Sequence, residues 1–356
     1  MISGNRGEWS EYYAFLRILA DGKIVSADAD LNELPDNSYI PVVRAIRQDK
    51  NAPELSYYTG PSIVIKHEEN TLLEIDSSSV SQQANFIYDQ IVATDYNSKG
   101  PIAIPAAENF MQSMRVGGLK APASSKSDIT LQIHDRNTGT NSICGWSIKS
   151  EIGSAPTLLN ASAATNFVYR ITGIDPSMID KIEAIDGSGK VMKRVRAILD
   201  AGGSFDFYQG RDTFMRNLRL IDSLFPLMMA EALLIYYSEG ISKITEVVQL
   251  LEERDPLQLG PGMYEFKFKK LLASVALGMV PSKPWSGHDE ASGGYIIVRK
   301  DGAVVAFHIY NRDSFEQYLF EHTKFDTPST GRHGFGSLAQ DSGSLYFKLN
   351  CQIRFI

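Results

Sequence analysis

The sequence predicts a mixed α/β fold. It combines a mixed central sheet flanked by helices, a helical lobe and a β-rich C-terminal part. Three observations lead there. Residues 130–134 (TLQIH) and 143–148 (ICGWSI) read as short strands joined by turn chemistry at 135–141 (DRNTGTN), hence a hairpin. Residues 7–19 place Trp9, Tyr12, Tyr13, Leu16 and Leu19 at helical spacing, with Asp21-Gly22 as the stop. Residues 211–254 are helical in period, whereas 293–356 alternate as strands do. The expected division is 1–170, 171–285 and 286–356.

Composition bounds the class. The chain has 356 residues, 43% hydrophobic and 22% charged, which is ordinary globular material with enough for a core. Cys144 and Cys351 lie in apolar, strand-like contexts without metal-ligand spacing, so a disulfide scaffold and a zinc finger are excluded. That usage fits a reducing, cytoplasmic compartment. The N-terminus has no basic stretch leading into an apolar run, so it is not a signal peptide. The most apolar run, 224–237 (LFPLMMAEALLIYY), is short and holds Glu231; it reads as a buried helix, and no membrane association is expected. A net charge of −7 argues against a protein that coats nucleic acid, but leaves room for a local basic cleft.

Taken in order, residues 39–47 (YIPVVRAIR) read as a short apolar element, helical after Pro41. Residues 62–66 and 72–75 are strands, and 77–94 a helix on the spacing of Val80, Ala84, Ile87, Tyr88 and Ile91. Residues 106–115 read as helical, and 117–127 as a small, basic approach to Asp128. Residues 157–167 are rich in Asn, Ser and Thr, which serve either nucleic-acid contacts or local turns. Residues 186–190 (DGSGK) read as a hairpin turn, followed by the cations Lys190, Lys193, Arg194 and Arg196. Asp301-Gly302 marks a hairpin between 295–299 and 304–310, and 314–320 a short helix. The loop 327–336 (TPSTGRHGFG) carries Arg332 and His333. The closing strand 345–355 is expected to show Lys348, Asn350, Gln352 and Arg354 on one face.

Candidate chemistry centres on the hairpin. Asp128 opens its first strand and Lys149 closes its second, so an acid and an ammonium meet at one sheet edge if the strands pair. Ser147, Lys149 and Glu151 alternate and share a face. The hairpin resembles the core of PD-(D/E)XK nucleases, with Ser127-Asp128 as the first half and Ser147-Ile148-Lys149 as the second. Ser147 departs from the acid that this superfamily carries there. Arg6-Gly7-Glu8-Trp9-Ser10-Glu11 resembles the basic-Gly-x-x-x-Glu pattern of the superfamily's first helix, with Glu11 the better match; helix-end electrostatics explain both acids equally well.

Longer stretches resemble one family. RGEWSEYYAFLRILADGK at 6–23, GWSIKSEIGSAPTLLNAS at 145–162, and FEHTKFDTPSTGRHGFG with LYFKLNCQIRF near the C-terminus look like the HpaII family of type II restriction endonucleases, over nearly the whole chain. The resemblance implies a Mg²⁺-dependent endonuclease for double-stranded DNA. It would serve a restriction–modification system beside a cognate methyltransferase. It also implies a short target, with CCGG as the candidate, and products ending in 5′ phosphate and 3′ hydroxyl. The three segments then become a catalytic core, a helical support lobe and a DNA-recognition part. Expected metal ligands are Asp128, the Ile148 main chain, Glu11 and Glu151; Asp128, Lys149, Glu11 and Ser147 form the expected catalytic set. Asn160, Asn166, Arg332, His333, Gln352 and Arg354 are the expected DNA contacts, because such side chains pair with base edges. A palindromic target implies a homodimer. Another PD-(D/E)XK nuclease, or a catalytically inactive DNA-binding protein, stays open beside this reading.

Overall fold

The computed structural model describes every residue except 1, 36, 37, 95–99, 120–126, 137 and 154. Most of the basic stretch 117–127, and Asn137 of the hairpin turn, lie outside the described residues. The chain forms two compact units. The first comprises Met1–Pro156, Ala276–Gly278 and Asp289–Tyr318; the second comprises Thr157–Val275, Met279–His288 and Leu319–Ile356. These borders differ from those drawn at 170 and 285. The strand Gly294–Val298 pairs in parallel with Thr140–Ser150, so the hairpin it opens joins the first unit. Asn166–Thr172 pairs instead with the C-terminal strand Ser344–Asn350.

The first unit is built on one mixed sheet. Among the described residues it has nine strands, in the order Lys23–Ser26, Val304–His308, Gly294–Val298, Thr140–Ser150, Ile129–Asp135, Tyr39–Gln48, Glu54–Tyr58, Ser62–His67 and Asn70–Asp76. Two pairings are parallel, Gly294–Val298 with Thr140–Ser150 and Val304–His308 with Lys23–Ser26. The helices Arg6–Asp21, Ser77–Ala93 and Pro105–Ser113 cover one face. They bury Trp9, Tyr12, Leu16, Val80, Ile87 and Met111 in one cluster with Tyr57, Leu131, Trp146 and Ile148. Each such apolar side chain contributes about 1.5–3 kcal/mol on burial. On the opposite face the helix Arg312–Glu321 packs Phe315 and Tyr318 against Tyr295 and Phe307.

Residues 39–47 are a strand, not a helix: Tyr39–Gln48 is extended throughout. Proline pushes the preceding Ile40 out of the helical region, and the β-branched Val42, Val43 and Ile46 favour a pleated surface. Pro41 sits where the strand pairs with Lys23, before a register shift passes it to Ile129–Asp135, so its missing N–H falls at a change of partner.

The second unit holds two antiparallel sheets. Thr157–Leu159, Ile353–Phe355 and Thr323–Phe325 form one; Ser204–Gly210, Asn166–Thr172, Ser344–Asn350 and Leu338–Asp341 form the other. Helices Asp212–Ile221, Phe225–Glu239 and Ile244–Arg254 supply the expected helical mass. Phe225–Glu239 is buried on most of its surface, and Pro226 stands in its first turn, where a missing N–H costs little. Among the described residues no helix is long and apolar enough to cross a membrane.

Two local expectations are corrected here. Residues 186–190 join two helices, Ile179–Glu183 and Lys190–Asp200, instead of two strands. The closing strand is broken at Cys351-Gln352: Ser344–Asn350 belongs to one sheet and Ile353–Phe355 to the other. Cys351 is buried as the chain crosses over, and its N–H donates to the Thr165 carbonyl at 2.9 Å. Lys348, Asn350, Gln352 and Arg354 therefore do not share one strand face.

Candidate active site

The expected hairpin forms, with Ile129–Asp135 antiparallel to Thr140–Ser150 and Ile129 opposite Trp146. Asp128 is anchored just outside the ladder. Its N–H donates to the Trp146 carbonyl at 2.9 Å. Its Oδ2 accepts from the Ile148 N–H at 2.6 Å and from the Ser147 hydroxyl at 3.2 Å. Gly145 makes the approach possible, because a Cβ there would stand 2.6 Å from the Ser127 Cβ. Among the described residues Asp128 Oδ1 accepts no hydrogen bond.

Trp146 and Ile148 point into the core, so the alternating Ser147 and Lys149 point to the opposite face, where Ser147 meets Asp128. Lys149 is half-buried, and among the described residues no carboxylate lies within ion-pair distance of its ammonium. The Glu151 N–H donates to the Val298 carbonyl at 2.8 Å, which carries the extended run past Lys149.

The neighbouring strand adds a residue that sequence reading missed. Tyr295 stands opposite Ser147 in the parallel register. It is fully buried, yet among the described residues its hydroxyl has no hydrogen-bond partner. Burial, then the charges of Tyr318 and Asp128, push its phenol well above the ordinary range. Burial, then the charge of Glu151, does the same to Tyr318. Asp128, Tyr295, Tyr318 and Glu151 thus share one electrostatic environment. An orphaned buried hydroxyl costs about 1–3 kcal/mol, and such groups call for an explanation. Tyr295 gives no sequence signal, because the parallel pairing of 294–298 with 140–150 joins segments far apart in the chain.

The expected carboxylates do not all converge. Among the described residues no three His, Cys, Asp or Glu side chains gather into a metal-binding group. Asp128, Glu11 and Glu151, the carboxylates among the expected ligands, thus form no preassembled three-acid group. Glu11 belongs to the helix on the core face of the sheet, whereas Asp128 and Lys149 project from the other face. Glu8 is settled as a capping residue. Its Oε2 accepts from the Asn5 N–H at 2.8 Å, and its own N–H donates to Asn5 Oδ1 at 3.0 Å.

In the second unit the expected DNA contacts separate into two kinds. Arg332 is exposed and His333 half-buried on the one-turn helix Thr330–His333, while Asn160 is exposed beyond Thr157–Leu159. Gln352 is half-buried at the crossover between sheets. Asn166 is instead structural. It is 9% exposed, its Nδ2 donates to the His333 carbonyl at 2.8 Å, and its Oδ1 accepts from Asn350 Nδ2 at 2.7 Å. Asn350 Nδ2 also donates to the Ser162 carbonyl at 2.8 Å. Arg354 is ion-paired with Asp326 at 3.2 Å. Arg194, from the basic cluster, is 5% exposed and donates to the Glu183, Ile185 and Gly336 carbonyls.

A family model described as HpaII restriction endonuclease matches residues 5–355. The type II restriction enzyme HpaII of Haemophilus parainfluenzae is 38% identical over 362 residues, spanning 100% of this chain and 99% of that protein. No solved structure matches. Both matches run through the Asp128–Lys149 hairpin and the Arg332 loop alike. The chain belongs to the HpaII restriction endonuclease family.

Proposed function

We propose that the chain is a type II restriction endonuclease. It hydrolyses phosphodiester bonds of double-stranded DNA at a short sequence, on a PD-(D/E)XK-like site built by the first unit. One observation carries the reading: in a chain of this family, Asp128 and Lys149, which has no ion pair among the described residues, share one sheet face. An ammonium on the same face as a carboxylate, with no ion pair among the described residues to hold it, is free to meet a scissile phosphate.

The residues present fit Mg²⁺. This ion keeps several waters and takes one or two protein carboxylates plus substrate phosphate, so a three-acid cage is not required. Asp128 would hold it through the free Oδ1, with Glu151 or the Ile148 carbonyl completing the protein's share. When bound, the metal lowers the pKa of a coordinated water and stabilises charge building on the phosphate. Lys149 orients the attacking water and, as an ammonium, stabilises the charge that builds on the phosphate; only in its neutral form would it take the water's proton. Ser147, where the superfamily carries an acid, holds Asp128 in place by donating to it. Tyr295, opposite Ser147 on the next strand, adds a buried hydroxyl to that face of the sheet. Products carry 5′ phosphate and 3′ hydroxyl.

Sequence reading is assigned to Arg332, His333, Asn160 and Gln352, with Asn166 holding the His333 backbone in place. The relative's family suggests CCGG, a palindrome, and hence a homodimer whose symmetry mirrors the site. A cognate methyltransferase would protect the host's own copies.

The test is digestion of plasmid DNA with Mg²⁺, beside an EDTA control. Discrete fragments that end within one sequence, carry 5′ phosphate and vanish in EDTA support the reading. Intact DNA across substrates rich in CCGG and in other short palindromes would overturn it.

A further inference from the structure

Beyond Asp128, the sheet of the first unit continues for four more strands, and their outer face carries a row of polar and cationic groups. Gln132 follows Asp128 and Thr130 on one face of Ile129–Asp135. Arg44, opposite Gln132 in the register, donates from Nε to Gln132 Oε1 at 2.8 Å. Its Nη1 donates to Ser56 Oγ and to the Tyr58 hydroxyl, each at 3.0 Å. Lys66 stands opposite Ser56 on the next strand. The Tyr58 ring lies between the two cations, 5.3 Å from the Arg44 guanidinium and 5.3 Å from the Lys66 ammonium.

The helices Arg6–Asp21 and Ser77–Ala93 pack on the other face, where Ala45, Leu55, Tyr57, Ile63 and Ile65 enter the core. Arg44, Tyr58 and Lys66 all keep solvent access. Among the described residues neither cation has a carboxylate within ion-pair distance. Glu74 stands opposite Val64 on the edge strand, away from the line between Lys66 and Asp128. A structural cation is ordinarily neutralised by an acid, as Arg47 is by Asp49 at 2.8 Å. Here the neighbours are hydroxyls, an amide and a ring. They fix the guanidinium without cancelling its charge.

We propose that this face is a phosphate track, along which the sugar–phosphate backbone of the DNA duplex runs toward the scissile bond at Asp128 and Lys149. This rests on the endonuclease reading and deepens it. From Ser62–His67 to Thr140–Ser150 is four strand spacings of about 4.8 Å, roughly 19 Å in all. Successive phosphates along one DNA strand lie about 6–7 Å apart, so that length faces about three of them. Charge complementarity names the occupant. A net-acidic protein binds a polyanion only through local faces whose cations are not already paired. Guanidinium and ammonium groups here would position the duplex without reading its bases.

The test is fluorescence anisotropy in EDTA, with a labelled duplex containing CCGG and a scrambled duplex, over about 50–200 mM salt. The variants are Arg44→Gln and Lys66→Gln, with thermal melts to show that each is folded. Lys66→Gln removes no side-chain hydrogen bond among the described residues, so the test survives if Arg44→Gln is unstable. Each variant should weaken both duplexes by the same factor and flatten the plot of log K against log salt by about 0.9. Wild-type binding with an unchanged slope in folded variants would reject the track and leave the endonuclease reading standing. Failure of the wild type to bind any duplex would sink both. Concentration-dependent self-association that Lys66→Gln weakens, with the salt slope unchanged, would assign the face to a second copy of the chain and reject the track.

Discussion

Two polar clusters, one in each unit, show how similar residue types serve different ends. Around Asp128 the groups keep spare capacity among the described residues: a carboxylate oxygen without a donor, an ammonium without an acid, and a buried phenol without a partner. Around Asn166 and Asn350 the amide N–H groups are committed to Asn166 Oδ1 and to the Ser162 and His333 carbonyls, while the buried Asn350 Oδ1 has no donor among the described residues. In the second case the bonds hold a loop against a sheet. In the first they hold Asp128 but leave the remaining groups available to water, metal or phosphate. The difference lies in the charged groups: among the described residues the first cluster leaves an ammonium and a carboxylate oxygen unspent on one sheet face, and the second leaves only a neutral amide oxygen. Asn166 and Asn350 look suited to DNA in the sequence because residue type is visible there and commitment is not.

This contrast can be broken by substitution. The largest effect is expected at Lys149. Lys149→Ala should cut cleavage by at least about 10³-fold, near 4 kcal/mol of barrier, with an unchanged melting temperature because the ammonium holds no ion pair. A stopped plasmid digest beside a thermal melt checks both halves. Next comes Asn350→Ala. It strands the Ser162 carbonyl and Asn166 Oδ1 inside the fold, so about 2–4 kcal/mol of stability is lost. The melting temperature should fall by roughly 5–15 °C, read by calorimetry. An unchanged melt would mean that the amide pair is dispensable. Ser147→Ala deletes only a 3.2 Å bond to Asp128, worth about 0.5–1.5 kcal/mol, so single-turnover cleavage should drop at most tenfold. A total loss would give Ser147 a larger part than holding Asp128.

The smallest effect concerns pH. His308 lies in the first unit, its ring 5.7 Å from that of Trp146. Burial, against the opposing charge of Asp135, lowers its pKa from the ordinary 6.5. A depressed histidine is neutral in the fold and charges more readily when unfolded. It therefore contributes stability above pH 6.5 that is lost as pH falls through its folded value. Melting curves from pH 7.5 down to 5 should decline less steeply in His308→Gln than in the wild type.

The sequence made the periodic elements legible. The helix on Trp9, Tyr12 and Leu16, the hairpin around 135–141 and the apolar helix near 225–239 all form, because each rests on local spacing. Residues 39–47 misled because a short apolar run has the same composition in a strand and in a helix, and only its neighbours decide. The break at Cys351 was hidden because alternation continues through it; what ends the strand is a change of sheet. The placing of Asp128 and Lys149 on paired strands followed from the hairpin; the bonds of Asp128 to Ser147 and Ile148 came with the structure. Tyr295 did not, since parallel pairing joins segments whose only link is the fold.

Asp128→Asn is the variant that tests the cleavage centre most directly, because it keeps the shape and the acceptor for the Ile148 N–H while removing the charge. The measurement pairs plasmid digestion in Mg²⁺ with duplex binding in EDTA on the same preparation. The account predicts binding within a few-fold of wild type and no discrete fragments. Cleavage at the wild-type rate would contradict it and move the chemistry to another part of the chain.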